Sequence, residues 1–339
     1  MTLKPTESRA WKKLLAAYQT PSSTRSIAEI VITAAPLVAL WALACWAVTR
    51  ELWWGIALIA PAAFFLVRLF MIQHDCGHGA FFKWKAANDW VGRTIGVLTL
   101  TPYDYWRTTH AIHHATSGNL DRRGLGAIET MTVAEYQALP WIKRLGYRLY
   151  RHPIVLFVIG PAFVFLFMQR LPVGLMKGGW KPWVSVMGTN LSILAVAGVL
   201  VLLGGFKPLL LVHIPILLIA AGIGVWLFYI QHQFEDVKWF RQKDWSLTTS
   251  ALEGSSHYVM PQPLRWFTAN IGIHHVHHVS SRIPYYHLPR VLKDHPELNE
   301  VNRVTVWQSV KAIPLALWDE AGERMVSFRQ ARALARVPA

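Results

Sequence analysis

LWWGIALIAPAAFFLVRLFMIQHDCGH, residues 52–78, decides how this chain is read. From Leu52 to Ile72 its one charge is Arg68, and two histidines, His74 and His78, follow at once. About 20 apolar residues span a bilayer as a helix, so the run predicts a membrane span that ends in a pair of imidazoles. Three further stretches share its character: Ile27–Thr49, Ser185–Leu203 and Phe206–Ile230. A fifth, Pro153–Gln169, is shorter and contains Pro161. The chain of 339 residues is 53% apolar with a mean hydropathy of +0.28, too hydrophobic for an ordinary soluble domain. The run starting at Ile27 is too long for a signal-peptide core and is expected to remain as a span.

The net charge of +15 raises nucleic acid as a partner, but the distribution of charge excludes it. Of the 34 Lys and Arg residues, five precede Ile27, thirteen lie between His74 and Lys181, and thirteen follow Ile230. Arg50 and Lys207 alone fall in the short turns within the paired spans. This is the positive-inside asymmetry of an inner-membrane protein. Cys45 and Cys76 are the two cysteines; one lies in a span and the other among histidines, with no plausible disulfide between them, as expected facing a reducing cytoplasm.

The expected fold is an all-α integral membrane protein read as a single domain over residues 1–339. Residues 1–26 form a cytoplasmic segment, 27–49 and 52–72 one transmembrane hairpin, and 185–203 and 206–230 a second. Residues 73–184 and 231–339 build a cytoplasmic helical cap. If 153–169 crossed the bilayer, the later histidines would lie on the opposite side from the earlier ones. Metal ligands cannot be shared across a membrane, so this segment is expected to be interfacial or re-entrant.

Beyond HDCGH (74–78), histidines cluster in HAIHH (110–114) and HHVHH (274–278). Neutral imidazole is a ligand for Fe, Zn, Cu and Ni, and i, i+3, i+4 spacing puts rings on one helical face. His110, His113 and His114 are expected to face one point, and His274, His277 and His278 repeat the HxxHH pattern. Two such triplets are hard to explain as packing or solvated surface. His232, where the fourth span emerges, is an ionisable group at membrane depth and so a functional candidate, although a lone histidine there is more often structural. The expected set is His74, His78, His110, His113, His114, His232, His274, His277 and His278: nine ligands, enough for two metal ions with open positions for oxygen. Metal-bound histidines usually donate their second nitrogen to a carboxylate or carbonyl; Asp75, Asp104, Glu235, Asp236 and Asn270 are the candidate partners. His213 is expected to pack within a span, His152 and His295 to sit in turns, and His275 to point away, while His257 and His287 stay undecided.

A zinc-protease helix of the HExxH kind is opposed by Asp75, which stands where that motif has glutamate. A metal transporter would line the middle of its spans with polar residues, and these spans are nearly bare. The chain also lacks the Glu-x-x-His pairs of soluble di-iron bundles, CxxC iron–sulfur patterns and Gly-rich nucleotide loops, so electrons are expected from a separate protein.

At these residues the sequence resembles the membrane fatty acid desaturase superfamily, with three histidine boxes facing the cytoplasm. HDCGHGAFF (74–82), PYDYW with HAIHH (102–114), QHQFED (231–236), NIGIHHVHH (270–278) and SRIPYYHL (281–288) are similar to its acyl-lipid, omega-6-type bacterial branch. The resemblance covers about residues 30–290. It implies two histidine-held iron ions, O2 as co-substrate, a membrane-lipid acyl chain as substrate and a donor such as ferredoxin. Related enzymes hydroxylate or ketolate alkanes, carotenoids or acyl chains with the same boxes, which is the alternative outcome.

Overall fold

The computed structural model describes residues 5–334. Four helical stretches are long and apolar enough to cross a membrane: Ser23–Thr49, Trp53–Gly77, Trp180–Gly204 and Phe206–His232, with mean hydropathies from 2.1 to 2.4. They contain the four apolar runs of the sequence, all but Leu52, and extend them, because the helices carry on past the hydrocarbon-like stretches into polar residues. Ser22 starts the first by accepting the amide of Arg25. Glu51, at φ 62°, turns the chain after it, and the Leu52 amide closes the turn onto the Ala47 carbonyl at 2.9 Å. A Cβ on Gly55 would lie 2.6 Å from that of Ala47. Small residues thus let the first two helices approach closely, as packing between membrane helices favours. The second pair turns at Gly205, φ 72°. Lys207 meets Glu51 at 3.1 Å, so both turns lie at the same end of the molecule.

The stretch Trp141–Tyr150 with Val155–Arg170 is a helix pair bent by 61°. Phe157 packs edge-on against Tyr229 at 5.2 Å and against Trp226 at 5.0 Å, so the second half of the pair runs along the fourth long helix. The third long helix leaves most of its side chains uncovered, with Leu202 and Leu203 more than four-fifths exposed.

The cap departs from the all-helical expectation. Met131–Thr132 pairs parallel with Leu317–Trp318, which continues into an antiparallel ribbon of Leu315–Asp319 and Arg324–Ser327. His257–Val259 pairs parallel with Arg303–Thr305. These strands are two to five residues long, too short for alternation to stand out in the sequence. They clamp the cap to the helices. Tyr229 donates to the Ala312 carbonyl at 2.8 Å, and Arg151 donates to Gln233 at 3.1 Å and to the Leu315 carbonyl at 2.8 Å.

One polar knot lies inside the apolar layer. Arg68 is 2% exposed and Glu29 1%; the two are ion-paired, and Arg68 lies 3.9 Å from the centre of the Trp266 ring. Thr33 accepts from the Arg68 Nε at 3.2 Å. Charges at this depth are tolerated only when paired and hydrogen-bonded. The Tyr285 hydroxyl donates to Glu29 at 3.0 Å, so the knot fixes the loop that follows the third histidine cluster.

Candidate metal centre

The second long helix runs to Gly77 with His78 as its cap, which places His74 and His78 one turn apart. The helix Tyr103–Thr116 carries the second cluster. Tyr103 donates to the Cys76 carbonyl at 2.8 Å and occupies the space a Cβ on Gly92 would need, so the first two boxes are pinned together. The third cluster rides a six-residue helix, His274–Val279, every residue of which is buried. It can lie that deep because Gly272 sits against the Tyr258 carbonyl; an added Cβ there would be 2.3 Å from that oxygen. His232 ends the fourth long helix.

These elements bring all nine expected histidines into two groups. His74, His78, His110, His114 and His277 form one, and His113, His232, His274 and His278 the other; in each, the ligand atoms lie within 4.8 Å of one another. The expectation that each HxxHH triplet converges on one point needs correction. His110 and His114 belong to the first group and His113 to the second, whereas His274 and His278 belong to the second and His277 to the first. The physical reason is helical pitch. Residues i and i+4 lie about 40° apart around the axis and i+3 about 100° from i+4, so a helix passing between two centres serves one with the pair and the other with the odd residue.

Within the groups, Nε2 atoms approach closely: His78 to His110 at 3.1 Å, His110 to His114 at 3.2 Å, His114 to His277 at 3.2 Å, His113 to His232 at 3.1 Å and His232 to His274 at 3.1 Å. Imidazole–metal bonds of about 2.1 Å put adjacent nitrogens on one ion roughly 3.0–3.4 Å apart, so the donor sets fit a cation in each group. The Nε2 of His278 is buried without a partner among the described residues, which also calls for one. Burial, reinforced by their neighbouring imidazoles, holds His78, His110, His113, His114, His274, His277 and His278 well below the ordinary histidine range. They are therefore neutral, the form that ligates.

Of the five candidate partners, Asp75 reaches a histidine: its carboxylate lies 3.2 Å from His74 Nδ1 and accepts the Tyr285 amide at 2.7 Å. Asp104 instead pairs with Arg93 at 2.8 Å. Glu235 and Asp236 are exposed. Asn270 accepts from Arg265 at 3.1 Å and donates to the Tyr285 carbonyl at 3.3 Å. The Gly254 carbonyl, 3.1 Å from His232 Nδ1, went unforeseen because backbone acceptors carry no sequence signal. Trp106 also went unforeseen: its ring stacks on His110 at 4.7 Å and 13°, a contact its place four residues earlier on the helix could have suggested.

The remaining histidines have other partners. His275, 2.9 Å from the Leu298 carbonyl, points away from both groups, as expected. His213 lies edge-on to Trp41. His257 faces the Asn299 carbonyl, and His287 the Tyr18 carbonyl. His295 is held by Tyr18 and Trp11, and His152 accepts from the Ile154 amide.

Against this centre lies a cavity of about 330 Å³. Leu66, Phe70, Trp106, Leu217, Ala221 and Phe228 line it, and His74, His110 and His274 form its histidine end. Its lining on the fourth long helix runs from Leu217 to Gln231, about 21 Å at 1.5 Å per residue.

The model of one family, fatty acid desaturase, matches residues 51–309. The chain belongs to the fatty acid desaturase family. It is 44% identical over 318 residues to a fatty acid desaturase of Bacillus subtilis, covering 94% of this chain and 90% of that protein. It is 29% identical to a Synechocystis sn-1 acyl-lipid omega-3 desaturase (ferredoxin), over 85% of this chain and 81% of that one. A Synechocystis sn-1 oleoyl-lipid 12-desaturase is 27% identical over 66% of this chain and 63% of its own length. In this desaturase the two histidine groups are thus a candidate metal centre at the end of an apolar cavity.

Proposed function

We propose that this desaturase introduces a double bond into the acyl chain of a membrane lipid, using O2, two iron ions held by the nine histidines, and electrons from a ferredoxin-like donor. The observation that carries the proposal is the junction of two neutral histidine groups with one long apolar cavity. When bound, iron supplies the oxygen activation that an unreactive methylene requires. Overall, one acyl CH2–CH2 unit, O2, two electrons and two protons become CH=CH and two waters.

The chain's own residues position and exclude. A methylene offers no polar handle, so Leu66, Phe70, Leu217 and Ala221 register the chain by shape alone. Trp106, stacked on His110, forms part of the cavity wall beside the ligands. Asp75 holds His74 in the tautomer that turns Nε2 toward the first group, and the Gly254 carbonyl does the same for His232. The apolar lining keeps bulk water from the reacting carbons.

The orientation we propose puts both hairpin turns outside and the histidines at the cytoplasmic face of the inner membrane, within one domain. The positive-inside asymmetry supports it. A re-entrant course for 153–169 is supported by its two flanks: Arg151 meets Gln233, beside His232, and the Val173 carbonyl accepts from Tyr105, on the helix that carries His110. Both flanks therefore lie near the histidines. Expression in a host with saturated or monounsaturated lipids tests the function. New unsaturation should appear in intact membrane phospholipid; activity confined to free alkanes or carotenoids would overturn the proposal.

A further inference from the structure

A second, much smaller cavity of about 20 Å³ lies behind the four-histidine group, lined by His113, His232, Ser117, Arg123, Ala127 and Trp239. It has room for about one water, which needs some 10–15 Å³. Phe228 lines both this cavity and the long apolar one and packs on His113 at 4.9 Å, so the two adjoin at its ring. Three nitrogens of residues that line this cavity are buried without a partner among the described residues: Arg123 Nη1, the Trp239 indole Nε1 and His113 Nδ1. The other side of the Arg123 guanidinium is occupied by Glu135. Three carbonyls of lining residues are engaged elsewhere: that of Ser117 takes Trp245, that of Gly118 takes the Phe240 amide, and that of Gly254 faces His232. Buried donors left unmade are costly and call for an explanation. Here the unmet demand is for an acceptor, beside a guanidinium, in a space one heavy atom wide.

The geometry points to a binding site for a single-atom hydrogen-bond acceptor, water in the resting protein and exchangeable for a halide, beside the four-histidine group and separate from the acyl cavity that it adjoins at Phe228. Its role rests on the desaturase reading, since that reaction produces water beside an apolar substrate. A polar pocket behind Phe228 gives that water a place to go without crossing the cavity that holds the chain. The binding itself does not depend on the reading.

The test uses the metal-loaded protein in vesicles and bromide as the probe, followed by broadening of its magnetic resonance line. Trp239→Phe removes one donor while keeping an aromatic ring, and Ala127→Leu fills the space while leaving the donors. Each should weaken bromide binding at least tenfold, the first by removing a hydrogen bond to a charged acceptor and the second by closing the space. Saturating acyl lipid should not displace the ion. In turnover, bromide should lower the maximal rate without raising the KM for lipid. Broadening that both variants leave unchanged would put the halide on the metals and overturn the inference, as would displacement by lipid. If no lipid product forms at all, the function fails while the binding result still stands or falls by itself.

Discussion

His232→Ala is the substitution that separates a ligand from a structural histidine. Its ring has Nε2 atoms of His113 and His274 at 3.1 Å on one side and the Gly254 carbonyl at 3.1 Å from Nδ1 on the other. If it is a ligand, the second group falls from four imidazoles to three, while the five of the first are untouched. Loss of a residue that merely supports a ligand costs about 10–100-fold in metal affinity, or roughly 1.4–2.7 kcal/mol, and loss of the ligand itself should exceed that. Iron per chain, measured on protein purified in vesicles, should fall from about two to about one, with activity abolished and folding retained. His232→Gln, which keeps a donor toward Gly254, should behave the same. Full iron content with activity restored by His232→Gln would refute the reasoning and make His232 a packing residue.

Asp75→Asn should weaken iron retention 10–100-fold, with a change in the iron spectrum that a purely structural role would not give. Arg68→Met should lower stability by about 3 kcal/mol, the low end for a broken buried pair, because Glu29 keeps Arg25 at 2.6 Å; thermal unfolding in detergent measures it. Acid should unfold the metal-stripped protein. Burial holds His78, His110, His114 and His277 below the ordinary histidine range, so below about pH 6.5 the unfolded chain binds more protons than the folded one. That stability is present above this pH and lost as pH falls; an unfolding midpoint that does not drop between about pH 7 and pH 5 would contradict it. Ala221→Phe, which narrows the long cavity, should shift the product toward shorter acyl chains in lipid analysis while leaving iron content unchanged.

Much of this architecture can be read from runs and spacings. Twenty-odd apolar residues cannot be much other than spans, and nine histidines beside them cannot be much other than a metal centre. The sharing of the triplets was not legible, because HAIHH and HHVHH are consistent with one shared point; only the placement of each short helix between the groups sends His113 and His277 across. Asp75 was legible as the immediate neighbour of His74, whereas Asp104, six residues before His110 on the same helix, is taken by Arg93. The knot of Glu29, Arg68 and Tyr285 joins residues more than 250 positions apart, which no local pattern encodes. The cap strands are too short for period-two alternation to announce them.

The proposed reaction removes two hydrogens from an acyl chain held in this cavity and adds no oxygen to it. The most direct measurement is mass spectrometry of intact phospholipid after turnover by the iron-loaded protein with reduced ferredoxin and heavy-isotope O2. The product should be a chain lighter by two hydrogens, with one new cis double bond and no heavy oxygen in the lipid. A chain carrying one heavy oxygen atom would contradict it.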